Sequence, residues 1–179
     1  PLVWASQRKK CASTITERTT GVDLVEAYFA LEEVPNYAVI GGVDPLVTIQ
    51  RYNQKAQDAC KYLFTGMVNL EETQIDEFVE ELTQKEVKTV FIALGVPKQD
   101  KLALALRSRM PHLILTGIGG TFEILGPQGS RAPKWMQKSG LEWLYRFSKE
   151  PGRLWKRYLV QYPLGVGMIL KDIKSSTAA

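Results

Sequence analysis

The amino-acid sequence predicts an α/β protein: a parallel sheet sandwiched by helices, with a basic helical appendage at the C-terminal end. Three observations predict it. Short apolar runs at 37–42, 62–68, 89–95 and 113–120 alternate with helical patterns. Each run is apolar throughout rather than every second residue, as in strands covered on both faces. The chain has 179 residues, 45% of them hydrophobic and 23% charged, enough to bury a core without disulfides or a structural metal. Strand–helix alternation of this kind describes a Rossmann-like sheet.

The elements follow in order. Residues 2–10 and 22–31 read as helices. Tyr37-Ala-Val-Ile-Gly-Gly42 is a strand ending in two glycines, and Asp44-Pro45 reads as an N-cap with proline in the first turn of a helix running towards Cys60. A buried strand is expected at 62–68. Residues 71–84 form an acidic amphipathic helix with Ile75, Phe78, Val79 and Leu82 on one face. Thr89-Val-Phe-Ile-Ala-Leu-Gly95 is the clearest strand, Pro97 opens a helix running to Met110, and Leu113-Ile-Leu-Thr-Gly-Ile-Gly-Gly120 is the fourth strand. Beyond it the chain reads as helices broken near Pro151 and Pro163. Two domains are expected: residues 1–130, an α/β core incomplete at its N-terminus, and residues 131–179, a helical appendage.

Composition excludes several classes. No apolar run approaches the roughly 18 residues of a membrane span. Two cysteines, Cys11 and Cys60, make no disulfide framework, and no spacing suggests zinc. A reduced, cytoplasmic setting follows from this cysteine usage. The one histidine, His112, sits before a strand rather than beside a Ser or Cys nucleophile. An enzyme built on this chain works with carboxylates, amides and cations.

The formal net charge of +4 is unevenly distributed. Residues 131–179 hold ten Lys/Arg against three Asp/Glu, a net of +7, interleaved with Trp135, Trp143, Tyr145, Phe147, Trp155, Tyr158 and Tyr162. Such a tail suits an anionic membrane surface, a phosphate-bearing ligand or nucleic acid. It reads equally as amphipathic helices whose aromatics pack inward and whose cations are solvated. Nucleic acid is not an expected partner, because no recognised nucleic-acid signature accompanies the basic residues.

In a parallel α/β sheet the strand-to-helix turns open on one edge, where ligands bind. Three such turns carry glycine: Gly41-Gly42; Gly95-Val-Pro97-Lys98-Gln99-Asp100; and Gly117-Ile-Gly119-Gly120-Thr121. Glycine lets backbone N–H groups approach a bound group, and the following helix start favours an anion. Lys98 adds a cation, and Gln99 can both donate and accept. A diphosphate or a sugar hydroxyl fits that set. The dinucleotide fingerprint GxGxxG, the P-loop lysine motif and an Asp-x-Asp metal grip are all absent, so metal-independent chemistry without a cofactor is expected.

Gly95-Val-Pro-Lys-Gln-Asp100, Gly117-Ile-Gly-Gly-Thr-Phe-Glu123, Gly126, Arg131-Ala-Pro-Lys-Trp135, Gly140-Leu-Glu-Trp-Leu-Tyr-Arg146, Glu150-Pro151, Arg153 and Arg157-Tyr158 closely resemble the WecG/TagA/CpsF glycosyltransferase family. Arg18-Thr-Thr-Gly-Val-Asp-Leu24 is similar to a segment near that family's start, so the resemblance spans nearly the whole chain.

The resemblance implies transfer of N-acetylmannosamine or a related hexose from a UDP-sugar donor to a polyprenyl-diphosphate-linked sugar acceptor. Such transfer occurs at the cytoplasmic face of the cell membrane, in teichoic acid or surface polysaccharide synthesis. An inverting displacement is implied. Gln99, Arg18 and Arg146 are the implied catalytic residues. Gly41, Gly42, Gly95, Pro97, Lys98, Gly119, Gly120, Thr121, Arg131, Arg153 and Arg157 are the expected substrate-binding ones, and Arg146, Arg153 and Arg157, with Lys98, are the implied candidates to neutralise diphosphate charge.

Two departures accompany the resemblance. Asp100 stands where the family usually has Glu after Pro-Lys-Gln. The family's general-base aspartate lies in an Asp-Gly pair just upstream of the Pro1-Leu-Val-Trp4 segment, so the chain reads as lacking its N-terminal portion and as impaired on its own. Asp44 reads as a helix cap and Glu123 as structural, so neither replaces that base. The competing reading is a non-catalytic UDP-binding or membrane-associated module of the same family. A homo-oligomer is left open.

Overall fold

The computed structural model describes residues 19–127, 129, 131–139, 141–149, 151–161, 163–164 and 167. The expected helix at 2–10 and Arg18 lie outside them. The chain divides into two compact units, one of which is Thr19–Ser130; the residues from Arg131 onwards belong to the other.

In the first unit, helix α1 (Gly21–Phe29) begins with a reciprocal capping box. The Asp23 N–H donates to Thr20 Oγ1 at 3.2 Å, and the Thr20 N–H donates to Asp23 Oδ2 at 2.9 Å. Two of the backbone donors orphaned at a helix start are satisfied this way. Val22, Val25 and Phe29 then fall on one buried stripe. The chain continues through β1 (Tyr37–Gly41), α2 (Pro45–Ile49), α3 (Gln54–Ala59), β2 (Cys60–Phe64), α4 (Glu72–Gln84), β3 (Thr89–Ala93), α5 (Lys98–Arg109), β4 (Ile114–Gly117) and α6 (Thr121–Leu125).

The four strands form one parallel sheet in the order β2-β1-β3-β4. Every residue of β1 and of β3 is buried. Side chains of a strand alternate between faces, and here both faces are covered. Ala38, Ile40, Val90 and Ile92 pack with Phe78 and Leu82 of α4 and Leu102 and Leu106 of α5. Tyr37, Val39 and Phe91 pack with Val25 and Phe29 of α1, Ile49 of α2 and Phe122 of α6. On that second face the Phe91 ring meets Tyr28 edge-on at 5.1 Å between centroids, and Phe29 lies 5.3 Å from Tyr37. Burying a ring of this size stabilises the fold by about 2–3 kcal/mol.

Three local expectations are corrected. The helix expected from Asp44 to Cys60 is two helices. Asn53 adopts extended backbone and accepts from the Ala56 N–H through Oδ1 at 2.9 Å, so it starts a new helix that runs directly into β2. Asp44 occupies the N-cap position of α2 but does not cap it: no side-chain bond is made, and its backbone is left-handed at φ 45, ψ 48. That conformation costs a non-glycine residue on the order of 1 kcal/mol. The strand expected at 62–68 spans Cys60–Phe64 and is only half-buried, because it is an edge strand rather than an interior one. Beyond it the loop turns through Leu70, at φ 66, and is held by Gln74. The Asn69 N–H donates to Gln74 Oε1, and Gln74 Nε2 donates to the Met67 carbonyl, each at 2.9 Å.

In the second unit, α7 (Lys134–Lys138), α8 (Glu142–Lys149), α9 (Pro151–Trp155) and a π-helical turn (Lys156–Gln161) follow one another. Pro151 stands at the first position of α9, where its missing N–H has no helical partner to lose. Trp135, Trp143, Leu144, Trp155 and Leu159 are exposed, so these aromatics do not all pack inward.

Candidate functional site

The strand order determines where a ligand can enter. From β1 the chain leaves to the face that holds α2 and α3, whereas from β3 it leaves to the face that holds α4 and α5. Two adjacent strands whose turns diverge leave a crevice at their carboxyl ends, the switch point at which open α/β sheets bind ligands. β1 and β3 are such a pair, with Gly41 opposite Ala93.

The turn after β1 carries Gly41 at φ 88 and Gly42 at φ 87. A Cβ on Gly41 would fall 2.5 Å from Leu94 Cδ2 and 2.7 Å from the Ala93 carbonyl. Glycine is required here both by the backbone and by the close approach of the two strands. The turn after β3 exposes Gly95, Val96, Pro97 and Lys98. Around Gly95 there is open space where a side chain would stand. α5 starts at Lys98 and carries Asp100 in its first turn and Arg107 and Arg109 in its last. Its first amide donors lie on the carboxyl edge of the sheet.

Gln99 reaches sideways from that first turn. A Cβ built on Gly117 would lie 2.9 Å from Gln99 Cδ and Nε2, so the side-chain amide rests against the end of β4. Its Oε1 is buried and accepts no hydrogen bond. In the next turn, Gly119 is at φ 51 with open space beside it, and Thr121 Oγ1 donates to the Ile118 carbonyl at 2.7 Å. Glu123 folds back over this turn: a Cβ on Gly120 would lie 3.2 Å from its Oε2, which is also buried without a partner. The capped start of α1 abuts the same turn, since a Cβ on Gly21 would meet Thr121 Oγ1 at 2.7 Å.

A buried oxygen without a donor costs roughly 1–3 kcal/mol unless a ligand or water supplies one. Two such oxygens, on Gln99 and Glu123, belong to the turns at this one edge. Two recesses elsewhere, of about 240 and 310 Å³, are lined by neither residue. The chemistry therefore points to the sheet edge rather than to those recesses. Burial pushes the Cys60 thiol and the Tyr28, Tyr37 and Tyr62 hydroxyls up, and these four groups lie away from the edge turns.

A model of the glycosyl transferase WecG/TagA/CpsF family matches residues 1–178. The chain belongs to this family. Membership makes it a glycosyltransferase of cell-surface polysaccharide synthesis, and the carboxyl edge is the natural place in such a fold for a sugar-bearing ligand.

Of the residues singled out in this WecG/TagA/CpsF-family chain, the first unit brings Gly41, Gly42, Gly95, Pro97, Lys98, Gln99, Gly119, Gly120 and Thr121 to one sheet edge. Arg131 and Arg146 belong to the other unit. Arg146 Nη2 bonds Glu142 Oε1 at 2.9 Å along α8, and Arg131 is half-buried. Arg153 and Arg157 lie on α9 and the π-helical turn, with only their backbone described. Glu123 is the residue that sequence reasoning assigned to structure alone. Its unpartnered oxygen at the Gly119-Gly120 turn makes it a further candidate beside that reading.

Proposed function

We propose that this glycosyltransferase moves N-acetylmannosamine or a related hexose from a UDP-sugar to a polyprenyl-diphosphate-linked sugar acceptor, with inversion and without a metal. The observation that carries this reading is the pair of unpartnered buried oxygens, Gln99 Oε1 and Glu123 Oε2, in the turns of one glycine-lined sheet edge. Hydroxyl and amide donors of a sugar nucleotide satisfy such oxygens, and the start of α5 with Lys98 suits its diphosphate.

In the proposed reaction an acceptor hydroxyl displaces UDP at the anomeric carbon. Charge builds on the β-phosphate as the glycosidic bond breaks, so a cation there stabilises the transition state more than the ground state. Lys98 is the first-unit candidate for that task. Arg18, Arg131, Arg146, Arg153 and Arg157 are the further candidates. The exposed tryptophans of the second unit support peripheral docking on the inner membrane face. Among the described residues, no helix is long and apolar enough to cross a membrane.

The test is UDP release from a panel of UDP-sugars with a short-chain polyprenyl-diphospho-N-acetylglucosamine acceptor. Turnover that depends on both substrates and is lost in Gln99→Ala supports the reading. Absence of both turnover and UDP binding overturns it.

A further inference from the structure

The turn after β1 holds a carboxylate that the fold does not use. Asp44 stands two residues beyond Gly42, exposed, with left-handed backbone and no bond from its side chain to the helix it precedes. Glycine would adopt that backbone at less cost, and an Asp in the usual extended N-cap conformation would secure the helix start. Asp44 does neither. Its position is nevertheless well determined. Thr48 Oγ1 lies 3.5 Å from the Asp44 carbonyl and 3.4 Å from that of Phe122, and Pro45 and Thr48 are buried. Thr48 thereby links the backbone of Asp44 to Phe122 of α6, the residue before Glu123, on the β1 side of the switch point.

We propose that the Asp44 carboxylate accepts hydrogen bonds from sugar-ring hydroxyls of the ligand bound at this edge, and so sets which sugar the edge takes. The proposal rests on the UDP-sugar reading above. A carboxylate suits vicinal hydroxyls because its two oxygens accept two donors at once, and it repels phosphate, so it serves a ring rather than the diphosphate. Two rings of such a ligand carry vicinal hydroxyls, the ribose and the transferred hexose.

The experiment measures binding of UDP, 2′,3′-dideoxy-UDP and a UDP-N-acetylhexosamine to the full chain by calorimetry, for wild type, Asp44→Asn and Asp44→Gly. Both replacements tolerate left-handed backbone, so both variants are expected to melt at or above the wild-type temperature. Affinity is expected to fall roughly ten-fold in Asp44→Asn and up to about a hundred-fold in Asp44→Gly. A loss for UDP and the UDP-hexosamine but not for dideoxy-UDP assigns Asp44 to the ribose. A loss for the UDP-hexosamine alone assigns it to the hexose. Unchanged or tighter binding of every probe, or an equal loss for all three, overturns the proposal while leaving the UDP-sugar reading intact. A wild type that binds none of them overturns that reading and this proposal with it.

Discussion

A methyl group added at Gly117 would sit 2.9 Å from Cδ and Nε2 of Gln99, so the last residue of β4 and the first turn of α5 share one small volume. The glycine thereby sets the position of the amide. Gly117→Ala is expected to push the Gln99 side chain aside rather than to unfold the sheet, because a side chain yields more cheaply than backbone. Stability should fall by about 1 kcal/mol or less, while UDP-sugar turnover should fall nearly as far as in Gln99→Ala. The decisive measurement is a double-mutant cycle. If Gly117 acts through Gln99, the double variant is no worse than Gln99→Ala alone. Additive losses would separate the two residues.

Asn53 joins two elements that local pattern alone would run together. Its Oδ1 accepts from the Ala56 N–H at 2.9 Å and its Nδ2 donates to the Phe29 carbonyl at 3.0 Å, tying the start of α3 to the end of α1. Asn53→Ala removes both bonds and is expected to cost about 1–2 kcal/mol. Urea unfolding should show a lower midpoint with an unchanged slope. A midpoint shift close to zero would mean that the cap is redundant.

How much of this was legible in the sequence differs from element to element. β1 and β3 were readable because both their faces are buried, so their apolar runs have no polar interruptions. β2 was not, since an edge position halves its burial and strand order is decided by long-range packing rather than local pattern. The Asp44-Pro45 pair has the composition of a helix start, yet Asp44 has left-handed backbone two residues after Gly42, one of the alternatives open to Asp that local pattern does not decide between. Glycines mark the candidate edge in the sequence. What makes Glu123 a candidate is its fold over Gly120 and the burial of one oxygen, both tertiary facts.

The Tyr37 hydroxyl, which donates to the Ala56 carbonyl at 2.9 Å, and the Cys60 thiol beside it give a pH signature. Burial is the main cause that raises both groups above their ordinary values. Each is therefore held neutral in the folded chain at pH values where the unfolded chain ionises. The unfolded state then binds fewer protons, and stability falls as pH rises. The contribution is fully present below the ordinary thiol value of 9.0 and is lost progressively above it. Melting temperatures from pH 7 to 10.5 should decline beyond about pH 9, and Cys60→Ala should flatten the first part of that decline. An identical decline in wild type and Cys60→Ala would assign it to other groups.

Membrane docking, as proposed for the second unit, makes the last prediction. Trp135, Trp143 and Trp155 are exposed there at 63%, 42% and 52%, with Leu144 and Leu159 also open to solvent. Lys134, Lys149 and Lys156 are exposed on α7, α8 and the π-helical turn. Indole rings favour the headgroup level of a bilayer, and each cation near an anionic surface adds about 1 kcal/mol that salt screens. The chain should therefore sediment with vesicles rich in anionic lipid at low ionic strength, and far less with neutral ones. Raising salt to about 0.5 M should release most of it, because the screening length shrinks to a few ångströms. Trp143→Ala with Trp155→Ala should weaken binding at least ten-fold, by removing apolar surface that charge alone does not replace. Undiminished binding in that double variant would leave only a diffuse electrostatic attraction, and no binding to anionic vesicles at low salt would remove the membrane from the account.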